Sequence, residues 1–451
     1  MNRLIILLFF GILLIPRIML GQQIYSLDIK KAIDLALTEN RNIKNAELDI
    51  LIAKKKVWET TAIGLPQVNT EMKYQNMVDV PVTLLPAIMF NPNAKPGEYM
   101  PVQFGQQHNA SFSFSASQLL FSGEYIVALQ ATKAYKEMSI KAALKSENDV
   151  IELVTKSYYA VLLVYQNAKI LEKTEKDIQK TYNEIKATQK VGLADEVDVD
   201  QLEINLLTVQ NSIESVNRQK KVAENILKYQ IGINITDSVS LNDSLEFILV
   251  NSSLKPLMTQ GFDINKNVEY QILQNQIEIT KLNMKREKST LLPTLNAFYS
   301  HSVNGQTNDF DNYFNGDQLY YQSNVVGIGL KWQLWGSGSR YVKIQQAQLE
   351  VDKMKNQNYL MQQGLSFKVH QAKTNLYNYY QTYLQQQKSK ELAGKIYHRS
   401  MIKFSNGIIT SAELTQLNLQ YINSQSAYYT AIIQVLNSKA ELDKIMGNNI
   451  K

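Results

Sequence analysis

Apolar residues recur along this chain with two different periods. In Ala110 to Ser117, Ala110, Phe112, Phe114 and Ala116 alternate with Ser111, Ser113, Ser115 and Ser117. Val326, Ile328, Leu330, Trp332 and Leu334 alternate in the same way with Val325, Gly327, Gly329, Lys331 and Gln333. Weaker versions run through Val68, Met72 and Tyr74, and through Leu295, Ala297 and Tyr299. A period of two predicts strands with one apolar and one polar face. Elsewhere the spacing is three and four. Ile151, Val154, Tyr158, Val161, Tyr165 and Ala168 form one such seam; Val199, Leu202, Leu206, Val209, Ile213 and Val216 form another. A third runs from Leu414, Leu417 and Tyr421 to Leu442 and Ile445. These seams predict long helices packed as coiled coils.

The patterns occur twice in the same order. Gly123 and Gly338, Gly192 and Gly407, and Gly232 and Gly447 are each 215 residues apart. Leu65-Pro66 matches Leu292-Pro293 with a slightly larger shift, because the stretch between proline and glycine is longer in the first copy. The first repeat spans 22–232, with helices about 28–63, 124–190 and 195–231 and strands about 66–76 and 108–121. After a linker at 233–262, the second repeat spans 263–451. Its helices are about 264–290, 339–405 and 411–446, and its strands about 293–303 and 324–335. Tyr125 to Lys190 holds neither glycine nor proline, and its 66 residues would make a helix about 100 Å long at about 1.5 Å per residue. The shorter helices match such a length only by stacking end to end. Small residues in the third seam, Ser424, Ala431 and Ser438, allow close packing.

Composition narrows the function. The 451 residues include 19 Gly, 9 Pro and no Cys, which excludes a disulfide scaffold, thiol catalysis, a zinc-cysteine site and a lipidated N-terminal cysteine. Met1-Asn2-Arg3, the apolar run Leu4 to Ile15, and Gly21 before Gln22 read as an export signal over 1–21, too short to span a bilayer. The 47 basic and 41 acidic residues form no basic-aromatic patch for a nucleic acid. His108, His301, His370 and His398 lack metal-ligand spacing. Gly336-Ser337-Gly338-Ser339 lacks the context of a nucleotide loop and reads as a strand-to-helix junction. No catalytic constellation emerges, so the chain reads as a non-enzyme with no cofactor and no metal.

Strands of about ten residues with one apolar face, behind an export signal, carry the signature of transmembrane β-strands. Four strands cannot close a barrel, because backbone groups facing lipid must all be paired. The chain therefore oligomerises: a dimer would supply eight strands with a packed interior, a trimer twelve with an open lumen. The loops Met77 to Gln107 and Asn304 to Ser323 are expected to face outside.

The duplicated halves and the Leu-Pro before each first strand carry a family likeness. So do the Leu119-Leu120-Phe121-Ser122-Gly123 and Leu334-Trp335-Gly336-Ser337-Gly338 junctions and the glycine turns followed by Asp198-Val199 and Glu413-Leu414. Together they resemble the TolC-like outer membrane efflux proteins over nearly the whole mature chain. The resemblance implies an α+β membrane protein with four transmembrane strands per chain, forming a homotrimeric 12-strand outer membrane barrel in outer membrane lipid. A long periplasmic α-helical barrel would continue it. It further implies a passive exit duct of a tripartite efflux pump or a type I secretion system. Its partners would be a periplasmic adaptor and an inner membrane transporter driven by protons or ATP.

The family's adaptor-contact tips map onto Val191, Gly192 and Leu193 and onto Asn406, Gly407 and Ile408. Its periplasmic constriction maps onto Glu413, which keeps a carboxylate, and Gln416, which does not. One acid per protomer still implies a ring of three carboxylates that attracts cations. The first-copy gate acid matches Asp198, and its usual polar partners fall on Phe404 and Ile409. The competing reading of the same pattern is a periplasmic coiled-coil structural protein.

Overall fold

The computed structural model of the chain describes residues 24–315 and 319–448, and the expected export signal at 1–21 lies outside them. From the N-terminal side, β1 (Ile24–Leu27), α1 (Ile29–Glu39) and α2 (Arg41–Ile63) precede β2 (Gln67–Asn76). β3 (Val82–Pro86), β4 (Tyr99–Gln103) and β5 (His108–Phe121) follow. Next come α3 (Gly123–Lys190), α4 (Glu196–Ile231), β6 (Ser238–Leu241), α5 (Leu245–Val250) and α6 (Leu254–Thr259). The second copy then supplies α7 (Val268–Ser289), β7 (Thr294–Thr307), β8 (Tyr320–Lys331), α8 (Ser339–Ser405) and α9 (Ser411–Met446). Among the described residues no helix is long and apolar enough to cross a membrane.

Compact units do not follow the sequence repeats. One unit holds the residues up to Asp49, Lys141–Gln271 and those from Leu360 onward; the other holds Ile50–Ile140 and Ile272–Tyr359. Each draws on both copies.

In the unit that holds the sheet, the strand order is β2-β5-β7-β8, antiparallel throughout. Opposed residues share a face of a sheet. Val68, Met72 and Tyr74 therefore join Ala116, Phe112 and Ala110 on one side, while Asn69, Glu71 and Lys73 join Ser115, Ser113 and Ser111 on the other. The next two strands extend both faces. Tyr299 pairs with Ala116 and Val326, and Ala297 with Ile328, whereas Ser300 pairs with Ser115, and Ser302 with Ser113 and Ser323. One edge each of β2 and β8 has no partner strand among the described residues. Pairing in β8 occupies 320–331 rather than the expected 324–335. Beyond Lys331 the backbone leaves the ladder, as the Gln333 carbonyl accepts from Arg340 Nη1 at 2.8 Å and Trp332 Nε1 donates to the Leu291 carbonyl at 3.0 Å. The expected loop 77–107 contains the β3–β4 hairpin.

The other unit is built on a continuous apolar core that includes Leu27, Ala36, Val154, Leu227, Leu245, Ile432 and Leu442. Tyr158, fully buried in it, donates its hydroxyl proton to Asp243 Oδ2 at 2.8 Å, and the same oxygen accepts from the Ile29 amide at 2.9 Å. The helices expected at 28–63 and 264–290 are each broken, at Asn40 and Asn267. Asn40 Nδ2 donates to the Gln230 carbonyl at 2.6 Å, while its Oδ1 accepts from the Asn42 amide at 2.8 Å. Asn267 repeats this with the Ile445 carbonyl at 2.9 Å and the Tyr270 amide at 3.0 Å. Each asparagine thus caps the start of one helix and satisfies the end of another, so α4 meets α2 and α9 meets α7 end to end.

Glycine is required at these joints. Gly232 and Gly447 have φ of 93° and 68°, and an added Cβ would lie 2.6 Å from the Glu39 carbonyl oxygen and 2.3 Å from that of Lys266. Left-handed backbone alone costs a side chain about 1–2 kcal/mol. Gly232→Ala and Gly447→Ala are therefore each expected to destabilise this unit by more than about 1 kcal/mol, measured as a lower denaturant midpoint.

Lys444 Nζ lies 2.5 Å from Asp149 Oδ1 and 2.8 Å from Glu152 Oε2. Burial opposes ionisation of both carboxyls, but Lys444, with Lys145 beside Asp149 and Lys156 beside Glu152, outweighs it and holds both below the ordinary carboxylate range. Lowered folded values mean that this stabilisation is complete above the unfolded carboxylate range and disappears as pH falls through the folded values. Lys444→Met is expected to move the midpoint of acid unfolding to higher pH, followed by circular dichroism.

Candidate functional site

Both helical hairpins turn on the same hydrogen bonds. After α3 the Gly192 amide donates to the Gln189 carbonyl at 2.9 Å and the Leu193 amide to Thr188 at 3.1 Å. After α8 the Gly407 amide donates to Phe404 at 2.9 Å and the Ile408 amide to Lys403 at 2.9 Å. This paired pattern closes a helix through a residue of positive φ, which is 76° at Gly192 and 68° at Gly407. The turns push apolar side chains into solvent: Val191, Leu193 and Ile408 are 70%, 79% and 67% exposed.

The return helices begin on side-chain caps. Asp195 accepts from the Val197 amide at 3.1 Å, and Thr410 Oγ1 accepts from the Glu413 amide at 3.2 Å. Capping places Glu413 in the first turn of α9 with its side chain exposed, and Gln416 is exposed one turn on. Three residues apart on a helix, they are surface neighbours. Among the described residues the Glu413 carboxylate meets no ion-pair partner.

Asp198 is held differently. Its Oδ1 accepts a short hydrogen bond from the Ser411 hydroxyl and a second bond from the Ser411 amide at 3.3 Å. One carboxylate thereby ties the first turn of α4 to that of α9. Further along the same two helices, Asn205 Nδ2 donates to Thr415 Oγ1 at 3.4 Å. Phe404 is buried with Tyr182, Val199, Leu202, Tyr397 and Leu414, and Ile409 packs on this cluster. The structure therefore brings together Asp198, the apolar Phe404 and Ile409, and the two turns, while Glu413 and Gln416 face away. The sequence reading missed Ser411, Thr415 and Asn205. The Thr410-x-x-Glu413 spacing is a legible capping box, but nothing local marks a serine as the partner of an acid 213 positions earlier.

Residues 32–232 match the family model described as outer membrane efflux protein. Over this stretch, 201 of the 451 residues, the chain is similar to that family. No curated protein matches the chain in sequence. Among solved structures, the Campylobacter jejuni CmeC outer membrane channel is 16% identical with a TM-score of 0.67, over 93% of this chain and 85% of that one. The outer membrane protein VceC from Vibrio cholerae is 11% identical with a TM-score of 0.69, over 94% of this chain and 97% of that one. The open state of the Neisseria gonorrhoeae MtrE outer membrane channel is 14% identical with a TM-score of 0.69, over 94% and 89%. At these identities the likeness establishes the fold: a four-strand sheet together with long helical hairpins, the pattern repeated within the chain.

Ser411→Ala removes a hydrogen bond to a charged group, worth about 1.5–3 kcal/mol. The first turns of α4 and α9 are expected to exchange amide hydrogens about tenfold faster or more in that variant, with the sheet unchanged, by hydrogen-exchange mass spectrometry.

Proposed function

We infer that three copies of this chain form a passive exit duct for substrates exported by an inner membrane transporter through a periplasmic adaptor. The observation that carries this reading is the sheet, with one apolar face, one serine-rich polar face that also carries Glu71 and Lys73, and an edge strand on each side without a partner among the described residues. In hydrocarbon an open edge leaves backbone donors and acceptors unsatisfied, so each edge needs another strand. Because β2 and β8 run in opposite directions, the β8 of one copy continues the β2 of the next as an antiparallel pair, and three copies make twelve strands. The serine-rich face then lines a water-filled lumen, and the apolar face meets lipid.

The tips and the acid complete the reading. Val191, Leu193 and Ile408 present apolar knobs on hydrogen-bonded turns, which fit an adaptor better than solvent. Glu413, exposed and without a cationic partner among the described residues, supplies one carboxylate per copy to a ring at the periplasmic entrance, with Gln416 beside it as a neutral neighbour. Asp198 serves as a latch within each copy through Ser411. Energy for transport belongs to the transporter; the duct catalyses nothing and needs no cofactor.

Purified protein in mild detergent is expected to have the mass of three chains and to form cation-preferring pores in planar bilayers. Glu413→Gln should weaken the cation preference without changing the mass. A monomeric, non-conducting protein overturns the reading; trimeric pores whose selectivity ignores Glu413→Gln overturn the entrance ring alone.

A further inference from the structure

The connection between β2 and β5 carries an apolar surface that the duct itself does not use. Residues 77–107 contain only three charged side chains, Asp79, Lys95 and Glu98. Within them β3 and β4 pair from Val82 opposite Gln103 to Pro86 opposite Tyr99. Val78, Val82, Leu84, Ile88, Met89, Phe90, Tyr99 and Phe104 are all more than half exposed. Pro86 and Pro101 lie within the ladder and cannot donate from it, so this hairpin is a poor template for a further strand. What it offers a partner is its side chains.

One flank of its base is already covered by the chain itself. The Gln107 amide donates to Asn308 Oδ1 at 3.0 Å, Tyr74 and His108 are joined at 2.7 Å, and the Phe310 ring packs edge-on against both. This flank is therefore seated on the chain's own connection between β7 and β8. Beyond Phe310 the described aromatic residues reach solvent: Phe314 is 75% exposed, and Tyr320 and Tyr321 are exposed at the start of β8.

The topology decides what the other flank meets. β2 is one edge of the sheet and β8 the other, and the 77–107 and β7–β8 connections leave from the same end of their strands. When the β8 of one copy pairs with the β2 of the next, the aromatic residues of the first copy arrive beside the hairpin of the second. We propose that the β3–β4 hairpin is an intersubunit clasp, docking on Phe314 and Tyr320 of a second copy of this chain at the extracellular rim of the barrel. Apolar meets aromatic, with few charges to desolvate. The surface is continuous with the strand pairing that closes the barrel, and it would link each copy to the next outside the membrane. The proposal rests on the trimeric reading above.

The chain has no cysteine, so introduced pairs react without background. Leu84→Cys, Ile88→Cys or Phe104→Cys is combined with Phe314→Cys or Tyr320→Cys, and the full-length protein is oxidised mildly in detergent and in vesicles while its mass is measured in parallel. At least one pair is expected to give covalent dimers and trimers at more than ten times the yield of its single-cysteine controls. In intact trimers Leu84→Cys should react at least tenfold more slowly with a membrane-impermeant maleimide than in the heat-dissociated chain. Intact trimers with no cross-link and fast labelling overturn the clasp and leave the duct standing. Trimers in which Leu84→Cys is protected only in vesicles place the hairpin in lipid and also overturn it. A monomeric mass overturns the trimeric reading and the clasp together.

Discussion

A backbone N–H or C=O facing hydrocarbon has no water to satisfy it, and each one left unpaired costs several kcal/mol. Much in this chain answers to that constraint. Its sheet has four strands with opposite faces sorted into apolar and polar side chains, and among the described residues its two edges have no partner strand. A soluble sandwich would cover the apolar face with a second layer; here Met72, Val326, Ile328 and Leu330 remain exposed. Both features fit the proposed arrangement, in which lipid covers the face and other copies of the chain cover the edges.

The helical part obeys a different rule, the need to satisfy helix ends. Long helices bring few ends, and the chain handles those few by repeating the same local chemistry in each copy. Gly192 and Gly407 close the tips with matching hydrogen bonds, and Asn40 and Asn267 bridge the stacked joints, each beside a glycine that no other side chain could replace without strain. Because the joints are made of backbone and one amide, they survive sequence divergence between the copies. The tip interior has diverged instead. Asp198 reaches across to Ser411, while Phe404 and Ile409 pack in an apolar cluster. An acid that binds a neutral hydroxyl within one chain is less sensitive to salt than an ion pair between chains would be. The contact between the first turns of α4 and α9 then rests on packing and on two hydrogen bonds to a single carboxylate.

Much of this was legible in the residues. Alternation over Ala110 to Ser117 identified a strand and its two faces, and register later showed the same sorting across four strands. Glycine spacing located the tips because helix closure through positive φ is a local event that favours one residue type. Asn40 was passed over, since an asparagine inside an apolar-periodic stretch looks like an ordinary exposed helix residue. The β3–β4 hairpin was hidden by its prolines, which read as loop punctuation and sit at ladder positions that a strand seldom tolerates. The ends of β8 were misplaced because Trp332 and Leu334 keep the alternation after the backbone has turned to meet Leu291 and Arg340.

By itself the sequence determined what short-range physics controls: the period of each element, the glycines and caps that end them, the duplication, and the two-faced character of the strands. Tertiary structure decided which distant groups meet. Ser411 became the partner of Asp198, Lys444 that of Asp149 and Glu152, and Gln230 that of Asn40, each across a long separation in the chain. It also cut the compact units across the repeats, because the long helices carry residues of both copies into each unit. Local pattern carries no information about such pairings, since hydrogen bonds and ion pairs form between whatever groups the packing of helices brings within reach.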